Sequence, residues 1–254
     1  MRVANARPRD VFADSRPKDR WPASEGMEPE SEANSAVVRG LNFHGIGRPQ
    51  RVLEPGESRY WITVDKFFEV LDLVAVRRDV RISFDDGNAS DIDIGLEALL
   101  ERGLVASFFV VASRIGAPGS LDAAGLRELS RQGMSIGTHG MDHRPWRGLS
   151  PTDRQRELVD AREEIAGTVG RPVDEAALPL GLYDRRLLAD LRALGYTAVY
   201  TSERMLGTAD AWLRPRFSIR VDDTVETVRR DVLTDPSRSR RAWAAAKSRW
   251  KRLR

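Results

Sequence analysis

The chain has 254 residues, 41% hydrophobic and 31% charged, which suits one domain of barrel size or two small ones and excludes a membrane bundle, since no apolar run reaches the ~20 residues that span a bilayer. Cysteine is absent, which excludes a disulfide framework and thiolate metal sites and leaves Asp, Glu and His as metal donors. The net charge of +3 averages unlike parts: Pro236 to Arg254 holds eight Lys or Arg and no acid, leaving −5 on the remainder, so the basic character marks a tail and argues for no nucleic-acid partner.

Residues 1–35 mix Pro8, Pro17, Pro22 and Pro29 with interleaved charges and no apolar periodicity, the pattern of a disordered leader. The start, MRVANARPRD, runs on without an apolar h-region, so no secretory signal is read and a cytoplasmic location is expected. From Val37 a first strand leads to His44-Gly45-Ile46-Gly47, and Thr63 opens a helix whose Phe67, Val70, Leu71 and Val74 keep one face. Strand and helix then alternate. Val80 to Phe84 is a strand, Leu96, Leu99 and Leu100 mark a helix stopped at Gly103, and the apolar run Val105 to Val111 predicts a strand buried on both sides. Asp122 caps a helix carrying Leu126 and Leu129, and a strand from Met134 to Gly137 follows. Ser150-Pro151 starts a helix through Leu158, Ala161 and Ile165. A short strand near Ala176 to Leu178 runs into Pro179, Asp184 starts the next helix, Thr197 to Tyr200 is a strand, and a last strand near Phe217 to Val221 precedes a helix from Thr224 to Val232.

About seven strands alternating with helices fit a parallel sheet closed into a barrel, and equally an open doubly wound sheet. Each polar cluster sits where a strand ends, so in a barrel His44, Asp85, Asp86, His139, His143 and Pro179 converge on one rim. In Val80 to Gly87, VRISFDDG, neighbouring side chains point in different directions, so one of Asp85 and Asp86 can bind a cation while the other faces a substrate. His139 and His143 stand at i, i+4, a spacing that on a helical turn sets both imidazoles on one side of one ion. One carboxylate with two neutral imidazoles leaves positions open for water and substrate, as hydrolytic zinc sites require.

At these residues the sequence resembles the NodB-type polysaccharide deacetylases of carbohydrate esterase family 4, over roughly 37–233. The resemblance implies a distorted (β/α)7 barrel. It places the general base on Asp85 of SFDDG, and the ligands of one divalent metal ion, zinc, on Asp86, His139 and His143 of SFDDG and HGMDH. It gives the backbone N–H of Leu180, in LPLGLYD, to the oxyanion. Three departures stand out. Gly140 replaces a Ser or Thr that steadies the histidine loop, Ala177 stands where many members carry an Arg that orients the catalytic Asp, and no histidine follows His143 to serve as the late general acid. His44, in NFHGIG, resembles the first-strand histidine of some branches and is the candidate acid.

The implied substrate is an N-acetylated amino sugar in a poly- or oligosaccharide. Trp146, Pro179 and Tyr183, just past two motifs, are candidate sugar contacts. In the tail (236–254), Trp243, Ala246, Trp250 and Leu253 share one helical face opposite Arg and Lys, which suits peripheral contact with an anionic membrane, and with it a lipid-linked saccharide. The competing readings are a catalytically silent metal- or saccharide-binding module and a hydrolase of a non-sugar amide on the same fold.

Overall fold

Seven short, largely buried runs form parallel strands: β1 (Val37–Phe43), β2 (Val80–Asp86), β3 (Ala106–Val110), β4 (Ser135–Thr138), β5 (Glu175–Ala177), β6 (Ala198–Thr201) and β7 (Leu213–Ser218). The structure is a computed structural model that describes residues 37–235 together with Ser237 and Ala246. The expectations of a disordered leader over 1–35 and of an amphipathic tail over 236–254 rest on residues outside that set.

Each strand pairs with the next, and β7 returns to β1 through Gly40↔Arg216, Leu41↔Phe217 and Asn42↔Ser218. That closure makes a (β/α)7 barrel and rules out the open sheet. Closure needs a bare backbone at Gly40, where a Cβ would lie 2.6 Å from the Pro215 carbonyl oxygen. The ring is distorted: β1 and β2 share five register pairs, whereas β4 and β5 meet only at Thr138↔Ala176.

Alternation along the strands sorts side chains into two environments. Leu41, Phe43, Ile82, Phe84 and Phe108 join the buried apolar layer that includes Phe67, Val70 and Leu71 of the helix Val64–Val74; Phe84 stacks on Phe108 at 4.6 Å and Phe43 meets Phe67 edge-on at 5.0 Å. Asn42, Ser83, Asp85 and Arg216, which bond to one another, occupy the opposite face. The helices begin where capping residues predict. Thr63, Asp122, Ser150 and Asp184 each accept a backbone N–H from the first turn of the helix that follows, a contribution of about 1 kcal/mol apiece.

Two elements differ from the sequence reading. The last strand spans Leu213–Ser218, not the region from Phe217 to Val221, because Arg214, Pro215 and Arg216 interrupt the apolar run and hide a strand whose inward face is polar. His139 and His143 do not share a helical turn. Gly140 has φ +85° and His143 φ +51°, so a tight loop after β4 brings them together. No helix among the described residues is long and apolar enough to cross a membrane.

Candidate metal centre and active site

The ends of β2 and β4 set the centre. Asp86 closes β2 with φ +78°, ahead of Gly87 at +68°, and this left-handed turn swings its carboxylate away from the ladder. His139 follows β4 directly. The Asp86 Oδ1 atom lies 3.6 Å from His139 Nε2 and 3.3 Å from His143 Nε2, and one donor atom from each of the three residues falls within 4.8 Å of the others.

The imidazoles are held from behind. His139 Nδ1 is 2.9 Å from the Ala177 carbonyl oxygen, to which it donates, and His143 Nδ1 is 2.7 Å from Glu54 Oε2. A carbonyl and a carboxylate behind the rings fix the Nδ1–H tautomer and turn both Nε2 lone pairs toward Asp86. Burial holds the His139 imidazole neutral, its pKa down to about 4 against the pull of Asp85. Burial alone would raise Asp86, but the imidazoles of His44, His143 and His139 draw it below the ordinary carboxylate value. Both Asp86 oxygens are buried and accept no hydrogen bond. Buried lone pairs without donors, facing two imidazole Nε2 atoms, fit a divalent cation and little else.

Asp85 serves differently. Its carboxylate receives both arms of the Arg216 guanidinium, Nη1 to Oδ1 at 2.7 Å and Nη2 to Oδ2 at 2.8 Å, and Asn42 Nδ2 at 3.0 Å. Burial works against its charge, and Arg216 with the nearby His139 and His44 overcomes it, holding Asp85 ionised far below the usual carboxylate range. The Arg missing at position 177 is made good: Arg216, from β7 on the far side of β1 from Asp85, supplies the guanidinium. Sequence reading missed it because the strand carrying it was misplaced. It also missed Glu54, which lies in the stretch between the first strand and the helix that Thr63 opens.

The loss of Ser or Thr at position 140 is likewise made good. Glu157, fully buried, accepts Met141 N–H at 2.8 Å, Asp142 N–H at 3.3 Å and the Trp146 indole N–H at 3.3 Å, so one carboxylate ties down the histidine loop from below. This corrects the placing of Trp146 as a sugar platform: it is 1% exposed and packs under the loop. Tyr183 is also buried, its hydroxyl donated to Glu203 at 2.7 Å, and Pro179 is buried in the turn Pro179–Gly181. None of these three offers a face to a ligand. Leu180, at φ +55°, stands at the end of β5 with its side chain exposed. His44, just past β1, stacks on Tyr60 at 4.6 Å and keeps a buried Nδ1 without a partner.

Comparisons with known proteins agree with this geometry. The model of the family described as polysaccharide deacetylase matches residues 75–199, a span that includes both motifs but neither Asn42 nor Arg216. YxkH of Bacillus subtilis, which carries a polysaccharide deacetylase name, is 25% identical over 171 residues, 67% of this chain and 59% of that protein. This chain thus spans less than two thirds of its curated relative. Among solved structures, the deacetylase PplD of Streptococcus pyogenes superimposes with TM-score 0.68 at 18% identity, over 80% of this chain and all of that one. The polysaccharide deacetylase BC0361 of Bacillus cereus gives 0.67 at 17%, over 78% and 69%. IcaB of Ammonifex degensii gives 0.62 at 20%, over 78% and 97%. At these identities the structures establish a shared fold. Joined to the family match over residues 75–199 and to an Asp-His-His set gathered at one barrel rim, they make the chain similar to the polysaccharide deacetylases.

Proposed function

We propose that this protein is a metal-dependent hydrolase that removes N-acetyl groups from an amino sugar within a saccharide. The observation that carries the reading is the division between adjacent acids: Asp86 lies bare among the histidines, while Asp85 is gripped by Arg216 and Asn42. Asp86, His139 and His143 would hold the ion, zinc in our reading of the two-nitrogen, one-oxygen donor set. A divalent ion there supplies Lewis acidity toward the amide carbonyl and makes a water easier to deprotonate.

The chain's own residues do the rest. Asp85, kept ionised, takes the proton from the attacking water as it adds to the amide carbon. Its basicity is weak for the same reason that its charge is secure, so it serves only where the water is acidified. Arg216 and Asn42 fix the direction of its lone pairs. The backbone N–H of Leu180 donates to the oxyanion of the tetrahedral adduct. His44 protonates the nitrogen as the carbon–nitrogen bond breaks, giving acetate and a free amine.

The test is acetate release from N-acetylglucosamine oligomers by zinc-loaded and by chelated protein. Release that requires metal supports the reading; no release from a panel of N-acetylated saccharides, with the metal shown to be bound, overturns it.

A further inference from the structure

The rim of the barrel carries more cations than counter-charges in one place. Most rim arginines are matched: Arg216 with Asp85 at 2.7 Å, Arg204 with Asp223 at 3.0 Å, Arg114 with Glu54, and Arg51 with Glu57. Arg59 and Arg220 are not. Their guanidinium carbons lie 5.5 and 5.9 Å from the ring centre of one tyrosine, Tyr60, whose ring stacks on His44. The two loops that bear them are joined backbone to backbone, Val221 N–H donating to the Arg59 carbonyl oxygen at 2.8 Å.

Arg220 is the more telling of the pair. It is half-buried, and its Nε is buried without a hydrogen-bond partner, although a buried guanidinium N–H with no acceptor is unfavourable. The two acids that follow in sequence do not relieve it. Asp223 accepts the Arg220 backbone N–H at 2.9 Å and the Arg204 side chain, and among the described residues neither Asp222 nor Asp223 forms an ion pair with Arg59 or Arg220. Two planar cations flanking one aromatic ring, one of them with an idle buried donor, match the fork geometry of a carboxylate or a phosphate.

We infer that Arg220, with Arg59 beside it, forms an anion subsite next to the His44 side of the active centre, so that the preferred saccharide bears a carboxylate or phosphate close to the N-acetyl group. The inference rests on the deacetylase reading for the nature of the rest of the ligand. A uronic acid neighbour and a sugar phosphate present the same chemistry, and the experiment separates them.

Three saccharides of equal length are compared on the zinc-loaded full chain: a neutral N-acetylglucosamine oligomer, one in which glucuronate alternates with N-acetylglucosamine, and one ending in a phosphate. Acetate release gives kcat/KM, and calorimetric titration gives affinity. One charged substrate should exceed the neutral one by about tenfold or more in kcat/KM, mainly through KM, and the excess should shrink as ionic strength rises. In Arg220→Gln that ratio should fall toward unity, with Arg220→Lys between, because it keeps charge without the fork. Whichever charged arm leads identifies the source of the anion. Equal kcat/KM for all three substrates, or a charged preference that survives in Arg220→Gln and in Arg59→Gln, overturns the subsite while leaving deacetylation intact. Should no saccharide release acetate, the deacetylase reading fails by itself. The titration then decides the subsite: a charged oligomer bound more tightly than the neutral one, and weakened in Arg220→Gln, supports it, and equal affinities refute it.

Discussion

Arg216 grips Asp85 with two parallel hydrogen bonds of 2.7 and 2.8 Å, between strands that lie far apart in sequence and on opposite sides of the first strand of the barrel. Both side chains are almost wholly buried, so the pair acts as a unit. Removing one member strands the other charge in a low-dielectric interior. Arg216→Met should destabilise the fold by about 3–5 kcal/mol, read by chemical denaturation. Arg216→Lys should fold better yet lower kcat by roughly 100-fold, since it cannot hold both oxygens in one direction. A Lys variant with wild-type kcat would show that the orientation of Asp85 does not matter.

The two neighbouring acids are expected to fail in different ways. Asp85→Asn keeps the donor set of Asp86, His139 and His143 and should bind metal at full stoichiometry while losing turnover. His139→Ala should lose both. Metal content by mass spectrometry beside acetate release separates the cases, and full activity in the Asp85→Asn protein would remove Asp85 from the reaction.

Glu54 was hidden in a polar loop, yet its carboxylate orients His143 at 2.7 Å. Glu54→Gln should weaken metal binding by roughly 10- to 100-fold, the range for partners standing behind a ligand. Competition with a chelator of known affinity measures this, and an unchanged dissociation constant would mean that the loop alone positions the ring.

Gly140 illustrates how a departure from a family pattern is absorbed. A Cβ there would lie 2.4 Å from Glu157 Oε2 and 2.8 Å from the Trp146 indole nitrogen, at a φ of +85°. Gly140→Ser should therefore destabilise the fold by about 1–3 kcal/mol and loosen the histidine loop, even though serine is the residue the family uses there. Thermal unfolding of the metal-free protein is the measurement. A Ser variant as stable as the wild type would mean that Glu157 can move aside.

Asp91 supplies a pH dependence. It is fully buried with neither oxygen hydrogen-bonded, and burial, reinforced by the charge of Asp86, raises its pKa well above the ordinary 3.8. Above about pH 4 the unfolded chain ionises this group while the folded protein keeps its proton, so stability falls with rising pH until the folded-state pKa is passed. Asp91→Asn should abolish that decline and raise Tm at about pH 8 by roughly 2–4 °C, the shift that 1 kcal/mol gives in a domain of this size. Melting curves of the metal-free protein across pH test this. A lower Tm for Asp91→Asn at about pH 8 would refute it.

What the sequence by itself determined is local. Asp-Asp-Gly after an apolar strand, two histidines in a glycine loop, and Thr63, Asp122, Ser150 and Asp184 ahead of apolar helices are patterns complete within a few residues, so the strand ends, the helix starts and the three metal donors were legible. The identity of the partners was not. Asn42 and Arg216 reach Asp85 across 43 and 131 positions, and Glu54 reaches His143 across 89. Nothing in the spacing of such residues distinguishes them from ordinary polar loop or edge residues. Arg216 also breaks the apolar run by which a strand is recognised, and Trp146 and Tyr183, read as exposed stacking faces, proved to be buried supports. Only the closing of the seventh strand onto the first brings these groups together, because burial and the direction of a side chain are set by which strands become neighbours in space.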